Sequence, residues 1–492
     1  MSRMDQRLLA EQNPWWASAS AVDTDPHLRA YATAHVPWRP RIYHLFPLGP
    51  DRVYTLRGPR QVGKTTLVKL LIRRLLLEDN VEPSAVLYYS CDHLRGALEL
   101  DDLVATYLQW VAPEAGRRYL FLDEISSVDD WAIGIRALAN RGKLRGCTLV
   151  LTGSHALDLR RQVERLPGRR GESLSNDPED LLDRVLLPMK FAEYAETRSP
   201  ELDRAFTEAG LRDRAVRRDA VGRLFDGTGS PVWTRLLATQ SALARLLQEY
   251  LLTGGFPRPL NDWSASRRIR PETYDLYVRV VVGDLARWGY DERTARELLA
   301  GVVEKLGTPV SWRTLAADTD IPDHKTAARY VDALERIFLL QTLYQYDPRK
   351  KRRSPRKDRK LYVRDPFMFH AVRGWALGYQ DPFNAAQEFL ADPAKRGLLL
   401  EAIVADHLAR LAFATHPTSV FDAYERVLFW RSKKGWEVDF VLRDGKPRAL
   451  QLTLTRPRSE TRRALRAFGG GVILTETGEA ESLPLAPFLC LV

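Results

Sequence analysis

From Val53 onward, short apolar runs alternate with amphipathic stretches of helical period, the pattern of a mostly parallel α/β sheet. VYTL (53–56), AVLYYS (85–90), RYLFLDE (118–124), CTLVLTGS (147–154) and DRVLLPM (183–189) are the five predicted strands. Between the last two, the polar stretch RLPGRRGESLSNDPEDLL has the composition of an exposed insertion or lid. Residues 1–50 form a preamble containing a short helix (RLLAEQN), the aromatic NPWW and Pro-punctuated loops. Helical periodicity over 200–290 is broken abruptly at Gly254-Gly255-Phe256-Pro257 and resumes from Thr294 to Leu340. An α+β pattern from about 397 to 492 closes the chain, and no internal repeat is present.

At 492 residues and 45% hydrophobic content, the chain can bury a core divided among two to four domains. No apolar run approaches the roughly 18–20 residues that span a bilayer. The N-terminus MSRMDQRLLAEQNPWW lacks the apolar core of a secretion signal. Cys91, Cys147 and Cys490 are scattered and form neither a disulfide framework nor a zinc knuckle. A cytoplasmic protein with no membrane partner is expected. The formal charge of +11 favours a polyanionic partner, because phosphate neutralisation releases counterions.

GPRQVGKT, from Gly58 to Thr65, matches the G-x-x-x-x-G-K-[ST] phosphate loop. It follows VYTL and opens the helix TTLVKLLIRRLLL, which is the context the motif requires. Gly58 and Gly63 let the backbone curl so that N–H groups face phosphate oxygens, and the helix N-terminus adds its dipole. The expected nucleotide-binding stretch is Gly58, Pro59, Arg60, Gln61, Val62, Gly63, Lys64, Thr65 and Thr66. Lys64 is placed to reach the β- and γ-phosphates of ATP, and Thr65 to offer its hydroxyl to Mg²⁺. Asp123 and Glu124 end the strand RYLFLDE, Asp123 for the metal's coordination shell and Glu124 to polarise the attacking water. Thr152 and Ser154, at the tip of CTLVLTGS, are expected beside the γ-phosphate. Arg169 and Arg170 are candidates for the cation that a neighbouring subunit supplies in phosphoryl transfer.

GPRQVGKTTL, YLFLDEI…DW, LTGS, GR, LLPMKFAEY and LLTGGFP, in this order and with EQNPWW upstream, resemble the prokaryotic AAA-type ATPases whose C-terminal half is an uncharacterised domain. The resemblance implies an ATPase core that forms a homo-oligomer, with a ring such as a hexamer as the expected form.

SWRTLAADTDIPDHKTAARYVDALERIFLLQTL (311–343) reads as two helices joined at Asp320–Pro322, with Asp323 capping the second. Ala327, Tyr330, Val331, Leu334, Ile337 and Phe338 form its apolar stripe, leaving His324, Lys325 and Arg329 outward where a recognition helix contacts DNA. LYQY, DPRKKRRSPRKDRK and LYVRD follow, two strands around a basic loop, as in a winged helix. Lys350, Lys351, Arg352, Arg353, Arg356 and Lys357 are the candidate wing contacts to double-stranded or branched DNA. Asp318, Asp320 and Asp323 near the turn oppose that reading.

RGLLLEAIVADHLARLAF, VLFWRS and the hairpin WEVDFVLRDGKPRALQLTLT resemble the PD-(D/E)xK nuclease-like fold found at the end of family members. The resemblance places a metal site at Glu401, Asp439, Gln451 and Thr453, with Glu437 as a substitute ligand. Gln451 and Thr453 stand where that pattern has a carboxylate and a lysine, so the site is expected to be degenerate.

The expected domains are a preamble (1–50), a P-loop core (51–200), a helical lid or linker region (201–292), a winged helix (293–365), a linker (366–396) and a nuclease-like domain (397–492). The leading expectation is an ATP-hydrolysing, oligomeric DNA-binding motor or remodeller. A nucleotide-gated signalling or defence switch acting on a protein, and an ATP-gated nuclease, are the alternatives.

Overall fold

The computed structural model describes residues 6–112, 116–153, 182–317, 319–415, 421, 423–454, 457–479 and 481–492. Two compact units divide after Leu187.

In the first unit, β1 (Val53–Arg57), β2 (Val86–Ser90), β3 (Arg118–Asp123), β4 (Cys147–Gly153) and β5 (Asp183–Val185) form a parallel sheet in the order β2-β3-β4-β1-β5. The central strands are buried along their whole length because helices cover both faces of such a sheet. Leu87, Leu120, Leu122, Leu149 and Leu151 pack with Trp131, Ile135 and Leu138 into one core layer. The helix Lys64–Leu77 leaves β1 through the phosphate loop.

The preamble has a specific task. β2 is an edge strand, whose unpaired N–H and C=O groups invite pairing with another chain. Asn13, 1% exposed, meets Tyr88 like a backbone partner: its Oδ1 accepts from Tyr88 N at 2.6 Å and its Nδ2 donates to Tyr88 O at 2.9 Å. Gln12 Oε1 accepts from Ser90 N at 2.9 Å, while Trp15 and Trp16 both donate to Val86 O. EQNPWW therefore closes the edge with side chains.

The second unit is built on a mixed eight-stranded sheet. Its strands are β6 (Leu340–Asp347), β7 (Arg352–Arg353), β8 (Arg359–Val363), β9 (Val427–Arg431), β10 (Glu437–Asp444), β11 (Lys446–Leu452), β12 (Val472–Thr475) and β13 (Leu483–Pro484). The order is β13-β12-β11-β10-β9-β6-β7, with β8 antiparallel to β6. β6 and β9 pair in parallel through Tyr344 with Leu428 and Gln345 with Phe429. The basic hairpin and the C-terminal strands thus share one sheet. Residues 366–396, expected as a linker, instead form the helices Pro366–Leu377 and Pro382–Ala391. Phe367, Phe369, Val372, Phe383 and Phe389 are buried there, so the apolar content of PFMFHAVRGWAL outweighs its position between domains.

The Gly-Gly-Phe-Pro turn is sterically required. Gly254 has φ +58°, and a Cβ on Gly255 would collide with the backbone carbonyl of Met189.

Candidate functional site

The phosphate loop lies between β1 and its helix, with Gly63 at φ +102° immediately before Lys64. A Cβ on Gly58 would strike the carbonyl of Leu186, which follows β5, so only glycine fits. Lys64 is buried, and its Nζ donates to the carbonyls of Gly58 at 3.1 Å and Pro59 at 3.2 Å. The same ammonium lies 3.3 Å from Glu124 Oε1. The loop is thus held shut around its own lysine.

Thr65 Oγ1, at the start of the helix, donates to Asp123 Oδ2 at 2.7 Å. The buried Asp123 also accepts from Tyr88 OH at 3.1 Å and from Thr152 Oγ1. Burial, then the neighbouring Asp123 charge, pushes the Tyr88 phenol far above its usual range and keeps it a donor. The Thr65 hydroxyl and Asp123 carboxylate form a hard oxygen pair of the kind that holds Mg²⁺. Glu124 adopts φ +49°, a left-handed conformation uncommon for a side-chain-bearing residue and typical of sites under functional constraint. Its N–H donates to Thr152 Oγ1 at 2.9 Å, so one hydroxyl bonds to both acidic residues. Ser154, Arg169 and Arg170 lie outside the described residues.

Within the loop helix, Lys69 is 3% exposed, with its Nζ 2.9 Å from Asp25 Oδ2 and 3.3 Å from the Tyr88 ring centroid. Burial lowers its pKa, opposed by Asp25. Asp25 belongs to the preamble, which therefore supports the site from two directions. Nothing in the local pattern of residues 1–50 signals this long-range contact.

A phosphate loop after the first strand of a parallel sheet, facing an Asp-Glu pair at the end of β3, defines a P-loop ATPase domain. Residues 50–195 match the family model described as the AAA domain, so this domain is of the AAA type. Residues 244–377 match a second model, described as a domain of unknown function. The chain is 20% identical over 423 residues to the uncharacterized protein MJ1544 of Methanocaldococcus jannaschii, covering 85% of this chain and 78% of that protein. Among solved structures, the Walker-type ATPase PABY2304 of Pyrococcus abyssi is similar at 13% identity and a TM-score of 0.38, covering 65% of this chain and 91% of that one. The Aeropyrum pernix ORC1 protein, solved in complex with DNA, is similar at 15% identity and a TM-score of 0.31, covering 76% and 98%.

In the second unit, the helices Trp312–Ala317 and His324–Arg336 precede the β6–β8 hairpin. Asp323 Oδ1 accepts from the N–H groups of Lys325 at 2.6 Å and Thr326 at 2.9 Å, as its capping role requires. His324, Lys325 and Arg329 are exposed on the second helix. Lys350, Lys351, Arg352, Arg356 and Lys357 are exposed on the hairpin, as is Arg349, which the charge pattern had not singled out. Arg353 differs: its Nε lies 2.7 Å from Glu425 Oε1, and its guanidinium covers the Tyr344 and Tyr424 rings.

The nuclease-like residues do converge. Glu401 comes from the helix Pro393–Thr415, Glu437 and Asp439 from β10, and Gln451 from β11. The β9–β10 register shifts between Val438 and Val441, the stretch that contains Asp439. Asp439 Oδ2 accepts from Gln451 Nε2 at 2.7 Å and Leu452 N at 2.9 Å. Thr453 instead donates its backbone N–H to Leu474 O at 3.0 Å, just beyond β11.

A residue absent from the expected set completes the cluster. Lys360 of β8 is 1% exposed, and its Nζ lies 2.7 Å from Glu401 Oε1, 2.7 Å from Glu437 Oε1 and 3.8 Å from Asp439 Oδ1. Tyr362 OH donates to Glu401 Oε1 at 2.6 Å. Burial opposes the ammonium, but the carboxylates of Glu401, Asp439 and Glu437 outweigh it and hold its pKa well above the lysine range. The metal that a nuclease-like fold implies does not fit: a cation already contacts the carboxylates, and one Asp439 oxygen carries two donors. Among the described residues, no group of three or more His, Cys, Asp or Glu is arranged to hold a metal ion. Also among them, no helix is long and apolar enough to cross a membrane.

Proposed function

We propose that this chain is an ATP-hydrolysing, DNA-binding motor or remodeller that works as a homo-oligomer. The observation that carries the ATPase half is the group of Lys64, Thr65, Asp123 and Glu124 at the mouth of the phosphate loop. Lys64 and the loop from Gly58 to Thr66 would hold the triphosphate of ATP, and Thr65 with Asp123 would hold Mg²⁺. Bound there, Mg²⁺ would neutralise charge on the phosphates. Glu124 would orient the attacking water and accept its proton.

The DNA half is supported by six exposed cations on the β6–β8 hairpin and by the exposed His324, Lys325 and Arg329 of the helix His324–Arg336. Such a group neutralises backbone phosphates, and each contact adds close to one to the slope of log affinity against log salt. Replacing Lys350, Lys351 and Arg352 by Gln is expected to weaken duplex binding, lower that salt slope and reduce stimulation of ATPase by DNA. A panel of single-stranded, duplex, forked and four-way-junction DNA in ATPase and binding assays tests this. ATPase indifferent to every DNA form, with binding unchanged in the triple variant, would remove DNA as the partner. Nucleotide-dependent assembly without DNA stimulation would favour a protein-directed switch.

A further inference from the structure

The elements that carry Glu401, Glu437, Asp439 and Gln451 have the order of a metal-dependent nuclease, yet the centre of the cluster is occupied by a side chain. We propose that Lys360 is the resident cation of this site, replacing a divalent metal and locking the basic hairpin to the C-terminal part of the sheet.

Three observations lead there. Lys360 enters from β8, whereas every carboxylate comes from beyond residue 400, so the ion pairs bridge segments with no local connection. Its ammonium contacts three carboxylates while almost wholly shielded from water, the role a divalent ion has in an acidic site. The remaining polar groups are satisfied internally: Gln451 and Leu452 donate to Asp439, and Tyr362 donates to Glu401. Gln451 is thus well suited to the site without a metal. Its amide supplies the donor that Asp439 needs, which a carboxylate at that position does not.

The lock has a consequence for the hairpin. Arg359, the neighbour of Lys360, stacks over the Trp312 ring at 4.0 Å, and its backbone pairs with Val310. The base of the hairpin is therefore clamped to the helix Trp312–Ala317 through one residue and to the carboxylate cluster through the next. This holds independently of what the exposed tip binds.

The test uses the full chain without nucleotide and Mn²⁺ as the probe, followed by electron paramagnetic resonance of free Mn²⁺ and by thermal unfolding. Wild type is expected to show no Mn²⁺ binding that Asp439→Asn removes. Lys360→Ala is expected to unfold at lower temperature, to bind about one equivalent of Mn²⁺ and to be restabilised by it. Adding Asp439→Asn to that variant should weaken Mn²⁺ binding by about tenfold or more. Asp439-dependent Mn²⁺ binding in wild type would overturn the proposal, as would a folded Lys360→Ala chain that gains no site. If Lys360→Ala does not fold, the charge-balanced pair Lys360→Met with Glu401→Gln decides: recovery of folding supports the lock, and failure to recover refutes it.

Discussion

Replacing Glu124 by Gln removes a charge while keeping the side chain's shape and its left-handed backbone. Glu124 Oε1 lies 3.3 Å from Lys64 Nζ, with side-chain exposures of 22% and 4%. At an effective dielectric near 20, unit charges at that 3.3 Å separation attract by about 5 kcal/mol, an upper bound. Residual solvent access at Glu124 brings the net value down to that of a charge-assisted hydrogen bond, about 1.5–3 kcal/mol. A γ-phosphate must compete with Glu124 for Lys64, so the substitution releases part of this energy to binding. Half of it corresponds to about three- to tenfold in Kd, toward tighter ATP binding. With Glu124 as the proposed general base, its loss is expected to lower turnover by about 10²–10⁴. Calorimetric titration with ATP and phosphate-release kinetics on the same preparation separate the two effects. Unchanged turnover would remove Glu124 from the reaction. Weaker ATP binding would refute the competition between carboxylate and phosphate.

Asn13→Ala leaves Tyr88 N–H and C=O without their side-chain partner, and is expected to lower stability by about 2–4 kcal/mol. It should also promote association through the opened edge, read by urea unfolding and light scattering. A loss under about 0.5 kcal/mol with no change in association would show that Asn13 does not seal the edge. In the second unit, burial and then the nearby Arg410 depress His407 to about 3, and burial depresses His370 to about 4. His407 Nε2 accepts from Phe191 N at 2.9 Å, which requires the neutral ring. Both histidines have folded pKa values below the unfolded one near 6.5. Their contribution is therefore complete above pH 6.5 and is lost as pH falls toward 4 and then 3. Each adds a slope of up to about 1.4 kcal/mol per pH unit in that window. His407→Gln should flatten this acid limb; an unchanged limb would assign the slope to other groups.

What was legible in the sequence is what local patterns encode. The loop from Gly58 to Thr65, the five parallel strands, the Asp123–Glu124 pair and the Asp323 cap depend on neighbours a few residues away, and the structure places each as expected. The partner of Asn13 on the sheet edge, Tyr88, lies 75 residues downstream, and the parallel pairing of β6 with β9 joins strands some eighty residues apart. No periodicity reports such contacts. The helices of residues 366–396 were legible in principle, because PFMFHAVRGWAL is apolar on too wide an arc for a linker.

The basic run shows how strand geometry sorts charges that composition treats alike. DPRKKRRSPRKDRK carries nine cations between Asp347 and Lys360, and six of them (Arg349, Lys350, Lys351, Arg352, Arg356 and Lys357) are exposed. The run does not end where the loop ends: its last two residues begin β8, a strand buried along its whole length. A cation on such a strand must find a counter-charge or an aromatic face, since an unpaired buried charge is strongly destabilising. Arg359 finds Trp312 and Lys360 finds the carboxylates. Arg353, at the outer strand β7, is neutralised by Glu425. The hairpin's capacity for phosphates is therefore set by its tip, whereas its inner cations hold the tip in place. Neutralising the tip should change binding without loss of stability, whereas neutralising Lys360 should lower stability and loosen the tip as well.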